Sequence, residues 1–237
     1  MSTPAAERAL VRCTAVGRTY GSGQSAVVAV YDVTCEVWPG DHIAIVGPSG
    51  SGKSTLLHLL AGLEVPTVGS LEWPGFGGQP RGPGSVGLVF QTPSLIPSMT
   101  VVENVELPLL FADADPEEAR TRADEALALL DLRDLRDDLP QELSGGQAQR
   151  AVIARVLASG PRLILADEPT SKLDRANGAH VADVLVDVSV ELGAALVIAT
   201  HDPLVSGRLS DEWPMRDGRL SHLDVYDLPF PNPIERQ

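Results

Sequence analysis

A lysine closing a short run of glycines is the first place in this sequence where chemistry could be done. Gly47-Pro48-Ser49-Gly50-Ser51-Gly52-Lys53 runs into Ser54 and Thr55, a G-x-x-x-x-G-K-[ST] pattern. Its chemistry is that of a phosphate loop. Gly47, Gly50 and Gly52 let the backbone approach a phosphate with no Cβ in the way. Their N–H groups, with those of Ser51 and Lys53, can wrap around phosphate oxygens. Lys53 brings a full positive charge to the outer phosphates, and the Ser54 hydroxyl can hold Mg²⁺. The competing reading is a glycine-rich turn that merely precedes a helix, and Lys-Ser-Thr directly after the last glycine argues against it.

Four further groups could serve such a site. Asp167 and Glu168 close the apolar run Arg162–Ala166. A carboxylate there can hold Mg²⁺ opposite Ser54, and its neighbour can orient and deprotonate a water. Many strands end in a solvated acid pair, so this pair gains meaning only from the loop upstream. Leu143-Ser144-Gly145-Gly146-Gln147 opens a helical pattern. Its Ser-Gly-Gly turn is a second place where helix N–H groups could meet an anion, or else Ser144 is a plain helix cap. His201 ends another apolar run before Asp202-Pro203, and Gln91 ends a third; alone, each would be an ordinary polar terminus.

The elements that position these residues follow from periodicity. Ile43–Val46 reads as a short buried strand leading into the loop, and Leu56–Ala61 as a helix leaving it, with Gly62 as its stop. Upstream, Ala9–Val16 and Val27–Val37 read as strands, with turns at Tyr20–Gln24 and Trp38–Asp41. Pro74–Gly84 is rich in Gly and Pro and irregular. Ser85–Phe90 is a strand. Thr100–Leu110 has helical spacing interrupted by Pro108, and Pro116-Glu117-Glu118 starts another helix. Gly160-Pro161 ends the helix after Ser144; Arg175–Leu192 is a helix capped by Gly193, and Ala194–Ala199 a buried strand. Short strands near Trp213–Arg216 and Leu220–Val225 flank an Asp217-Gly turn. Alternating strands and helices imply a parallel sheet with helices on both faces, and ligands bind at the carboxyl ends of such strands. Helices lying between two buried strands suggest an inserted helical subdomain.

Composition narrows the possibilities. The chain has 237 residues, a net charge of −14 and more arginine than lysine. An acidic surface without a basic cluster argues against binding a nucleic-acid backbone. Cys13 and Cys35 lie in apolar strand-like segments with no neighbouring His or Cys, which fits core thiols in a reducing compartment rather than a metal site or disulfide framework. No signal peptide and no apolar run of about 18 residues is apparent, so a membrane role would need another chain to supply the span.

Taken together, the pieces resemble the ATP-binding subunits of ABC transporters. In that family's order stand Gly47–Thr55 (Walker A), Gln91 (Q-loop), Leu143–Gln147 (the LSGGQ signature), Leu163–Glu168 (Walker B), Ser171–Asp174 (D-loop) and His201 (switch histidine). The resemblance runs from about Tyr20 to Leu220. It implies an α/β fold of the P-loop NTPase, RecA-like kind. A parallel-sheet core would carry an N-terminal antiparallel β subdomain and an inserted helical subdomain at about 98–160, all one domain over 1–237 with a flexible tail at 229–237. It implies ATP and Mg²⁺ as cofactors and ATP hydrolysis as the activity. It implies that Tyr20 stacks on adenine, where a strand-end aromatic is the plain alternative. Residues Gly47 to Thr55 would bind the phosphates, Ser54, Gln91 and Asp167 would meet the metal, and Lys53, Gln91, Glu168 and His201 would be catalytic. Ser144, Gly145, Gly146 and Gln147 would face the γ-phosphate of ATP bound to a second copy. Asp174 would help join the two sites. His42, His58, His180 and His222 match no motif.

The same resemblance implies a head-to-tail homodimer with two ATPs between its subunits. It would lie at the cytoplasmic face of the cell membrane and power a separate permease. The permease would dock between core and inserted helices, near Gln91 to Leu110. Gly47–Leu63, Glu103–Leu110 and Leu165–Thr170 look most like the lipoprotein-releasing and macrolide-export branch. Ser171-Lys172 departs from it, standing where that branch usually has Gly-Asn. Rival roles within the resemblance are a cell-division ATPase that controls wall hydrolases through a membrane partner, and a soluble ATPase outside transport.

Overall fold

The computed structural model describes residues 8–82 and 84–221. Its elements in order are β1 (Val11–Tyr20), β2 (Val27–Val37), β3 (His42–Val46), α1 (Lys53–Leu60), β4 (Val68–Glu72), β5 (Val86–Val89), α2 (Val101–Phe111), α3 (Pro116–Leu129), α4 (Gly145–Ala158), β6 (Leu163–Asp167), α5 (Arg175–Leu192), β7 (Ala195–Thr200), α6 (Pro203–Ser206), β8 (Asp211–Arg216) and β9 (Arg219–Leu220). The expected tail at 229–237, His222 and the last part of the expected strand Leu220–Val225 lie outside the described residues.

A six-stranded sheet in the order β5-β6-β7-β3-β8-β9 forms the core. Its strands are parallel from β5 to β8, and β9 returns antiparallel. Strand periodicity of two assigns each residue to a face. Ile43, Ile45, Leu163, Leu165, Val197 and Ala199 face one apolar core, shared with α1 and with the antiparallel sheet β2-β1-β4. Ala44, Ile164, Ala166, Leu196 and Ile198 face the other, shared with α2, α3, α4 and α5. Because both faces are covered, the central strands β3, β6 and β7 are nearly continuous apolar runs, whereas β8 toward the edge alternates.

The helix boundaries have identifiable chemistry. Thr100 and Glu103 form a reciprocal capping box on α2, Ser144 and Gln147 another on α4. Asp115 and Asp174 accept the first N–H groups of α3 and α5. Gly193 stops α5 in a left-handed conformation, φ 61°. Pro108 does not interrupt α2, contrary to the reading from sequence. It sits in the last turn, where one missing N–H is outweighed by the capping box and by burial of Val101, Val102, Val105 and Leu109.

Cys13 and Cys35 are free, buried and directly opposed across β1 and β2. The adjacent Cys13 thiol, with burial, pushes the Cys35 thiol well above its ordinary value. His42 Nε2 lies 3.0 Å from Ser189 Oγ, His58 packs against Phe90, and His180 lies 3.4 Å from Asp131.

Candidate active site

Parallel register brings the carboxyl ends of four strands to one edge. Val46 is level with Thr200, Ala199 with Asp167, and Ala166 with Val89. The residues that follow these ends therefore converge, and a cavity of about 480 Å³ opens there. Pro48, Ser49, Gly50, Gly52, Lys53, Ser54, Thr55, Gln91, Asp167, Glu168 and His201 line it.

The loop is fixed from below. Leu56, Leu57, Leu59 and Leu60 of α1 are fully buried. At about 1.5–3 kcal/mol for each such side chain relative to exposure, they anchor the helix that carries Lys53. Gly47 lies against β8, where a Cβ would come 2.1 Å from the Met215 carbonyl oxygen. Gly52 is left-handed, φ 106°, and a Cβ there would come 2.2 Å from the Ala29 carbonyl oxygen. The Gly218 N–H donates to the Ser51 carbonyl at 2.9 Å, so the β8–β9 turn clasps the loop from a third side. Two of the three glycines thus serve close packing as well as access to a ligand.

Lys53 is 7% exposed and donates to the carbonyl oxygens of Gly47 at 2.8 Å and Pro48 at 3.0 Å. A buried ammonium needs such partners, and a phosphate entering the loop offers it stronger, charged ones. Asp167 is buried, and its Oδ1 has no hydrogen-bond partner. Glu168 adopts φ 47°, an uncommon backbone conformation for a residue with a Cβ, held by its N–H to the Ala199 carbonyl at 2.9 Å. Its Oε1 lies 2.7 Å from Nδ1 of the exposed His201.

The chemistry of the donor set fits a divalent cation bridging to a nucleotide. Among the described residues, no cluster of three or more His, Cys, Asp or Glu could hold a metal alone. Ser54, Gln91 and the orphaned Asp167 oxygen share the cavity and would complete their set with phosphate oxygens and water, as Mg²⁺ prefers.

Of the residues expected at the first cavity, Gly47, Ser51 and Tyr20 do not line it; Gly47 and Ser51 belong to the loop itself, and Tyr20 stands apart. It is half-buried, does not line the cavity, and carries the Arg18 guanidinium 4.6 Å from its ring centroid. Its cross-strand partner Val27 does line the cavity, together with Val28 and Ala29. Sequence reasoning missed those three; a short apolar stretch at a strand start carries no signal of its own.

A second cavity, about 350 Å³, is lined by Ser144, Gly145, Gly146, Gln147, Arg150, Lys172, Leu173, Asp174 and Asn177. No residue lines both cavities. Ser144 Oγ accepts from the Gln147 N–H, and Gln147 Oε1 accepts from the Ser144 N–H. The Gly145 and Gly146 N–H groups remain as first-turn donors. Hydrogen bonds from Asn177 hold the Asp174 carboxyl below its ordinary value. Side chains missed in the sequence fix the segment on either side of Gln91. Gln149, fully buried on α4, donates to the Phe90 carbonyl beside Gln91 at 3.1 Å. Arg155 donates to the Ser94 carbonyl at 2.8 Å, and Asn104 pins Ile96 from both sides at 2.7 and 3.1 Å.

This arrangement has close counterparts. Residues 30–171 match the ABC transporter family. A dimeric structure of a post-hydrolysis state of the ATP-binding cassette MJ0796, bound to ADP and Pi, is 36% identical with a TM-score of 0.82, over 89% of this chain and 96% of that one. A second dimeric structure of MJ0796, described as a bacterial ABC transporter cassette, is 35% identical with a TM-score of 0.81 over the same shares. CbiO1 of Clostridium perfringens, part of the ABC transporter complex cbiONQ, is 29% identical with a TM-score of 0.77, over 91% of this chain and 88% of that one. The fold and site define a P-loop ATPase, and the chain belongs to the ABC transporter family. It is an ATP-binding, ATP-hydrolysing cassette of that family.

Proposed function

We propose that this cassette works as a pair of identical copies that close head to tail on two ATPs and so drive a separate membrane permease. The observation that carries this reading is the separation of the two cavities. One chain has a complete phosphate loop and, apart from it, a second helix N-terminus in a Ser-Gly-Gly turn. One triphosphate does not need both within one chain, and a twofold axis lets each copy supply what the other lacks. The dimeric MJ0796 structures favour the pairing, and the membership of CbiO1 in a transporter complex favours a permease partner. Among the described residues no helix is long and apolar enough to cross a membrane, so the span would come from the permease. The cassette would then sit on the cytoplasmic face.

In this reading the loop from Gly47 to Thr55 grips the phosphates, and Lys53 leaves its two carbonyls for the outer ones. Val27 and Val28 present an apolar wall to the base, beside Tyr20. Ser54, with Asp167 and Gln91 directly or through water, would hold Mg²⁺, which would supply charge neutralisation at the phosphates. Glu168 takes the proton of the attacking water, and His201 holds Glu168 and the γ-phosphate in line. Ser144, Gly145 and Gly146 seal the site on the other copy. Loss of the γ-phosphate releases the pair. The permease docks on the loop that Gln149, Arg155 and Asn104 fix beside Gln91.

Glu168→Gln tests the reading, because it keeps the side chain's shape and removes the base. The variant should bind ATP, accumulate as a dimer in light scattering and lose nearly all turnover. Normal steady-state hydrolysis would remove Glu168 from its role.

A further inference from the structure

The sequence contains two lysines, Lys53 and Lys172. Lys53 lines the first cavity and Lys172 the second. We propose that Lys172 is a phosphate-binding residue of the closed pair, placing a positive charge beside the Ser144 turn to meet the γ-phosphate of a nucleotide held by the other copy. The inference rests on the head-to-tail reading above and adds a residue to it.

Three observations support the placement. The loop from Asp167 to Asp174 runs from one cavity to the other, with Glu168 lining the first and Lys172 the second. It is a tight turn, with the Ser171 N–H donating to the Glu168 carbonyl and the Leu173 N–H to the Thr170 carbonyl. Its backbone is close to the signature turn, since a Cβ on Gly146 would lie 3.0 Å from the Leu173 side chain and 3.7 Å from the Lys172 carbonyl oxygen. Lys172 is therefore held at the mouth where the Gly145 and Gly146 N–H groups emerge, and it is exposed.

The charges nearby make the lysine useful. Arg150, the other cation in the cavity lining, is half-buried and donates to the Leu130 carbonyl at 3.0 Å. The Asp174 carboxylate is committed to the first turn of α5, accepting from the N–H groups of Ala176 and Asn177 and from the Asn177 amide. Each copy carries a net charge of −14, so a second copy approaches both a repelling protein and an anionic nucleotide. Helix dipole and hydroxyl alone supply partial charges. An ammonium supplies a whole one at the contact that distinguishes ATP from ADP.

The test uses the full chain in the Glu168→Gln background and follows ATP-dependent dimer formation by sedimentation. Adding Lys172→Ala should raise the ATP concentration at half-dimerisation about tenfold. It should leave the affinity of one copy's own loop for ATP, measured at protein concentrations too low to pair, unchanged. Lys172→Arg should restore most of the loss, which a merely structural role for the stem would not require. If Glu168→Gln pairs with ATP and Lys172→Ala shifts nothing, Lys172 has no such role while the head-to-tail pair stands. If Glu168→Gln never pairs at any ATP concentration, both readings fall together.

Discussion

Gly50 and Gly52 look equivalent in the sequence and are not equivalent in the protein. Both are left-handed, but a Cβ on Gly50 meets open space, whereas one on Gly52 meets the Ala29 carbonyl oxygen. Gly50→Ala therefore carries only the backbone strain, about 1–2 kcal/mol. Gly52→Ala must also displace β2 from the loop. Thermal unfolding should show a few degrees' loss for the first and a clearly larger loss for the second. Lys53→Ala should leave the fold intact and remove about 3–4 kcal/mol of binding or transition-state stabilisation, the size of a single aimed charged donor. Titration with ATP and steady-state rates would measure it. The identities of the phosphate-loop residues were legible because their chemistry is local. The packing of Gly47 against Met215 was not, because the two are brought together by a strand pairing that no spacing encodes.

At the scale of elements, caps and periods wrote most of the helices and strands into the sequence, and tertiary packing wrote the rest. The proline in α2 misleads a local reading because burial of its apolar face is a long-range term. Tyr20 shows the same limit: an aromatic at a strand end was legible, but its stacking on Arg18 and its place outside the cavity lining were not. Gln149 was invisible because a buried amide has no sequence signature, yet it ties α4 to the residue before Gln91. Gln149→Leu should change stability little, because its Oε1 is already without a partner, while lowering ATPase turnover through a loosened Gln91. Comparing chemical unfolding with turnover would separate the two effects. Asn104→Ala should instead destabilise, by about 1–3 kcal/mol, since it removes a fully buried amide that hydrogen-bonds the Ile96 N–H and the carbonyls of Ile96, Met99 and Thr100. The Asp174 cap has a pH signature. Its folded-state carboxyl lies below the ordinary value, so its contribution is complete above that ordinary value and is lost as pH falls through the lowered one. The stability gap between the native chain and Asp174→Ala should accordingly be constant near neutrality and shrink in acid.

The described residues form two sheets and two apolar cores, and the phosphate-loop cavity and the Ser144 cavity share no residue. In the proposed pair each mouth completes the other's site, so the working unit would be two copies. Mixing two crippled copies tests that most directly. Lys53→Ala removes the loop's charge and keeps the Ser144 turn. Ser144→Asp keeps a good helix cap but sets a carboxylate against the incoming phosphate. Each should be nearly inactive alone. Mixed in equal amounts, they should recover about a quarter of the native rate, because half the random pairs contain one intact site of two. An ATPase rate that stays at the sum of the two separate chains, at every mixing ratio, would contradict the shared site.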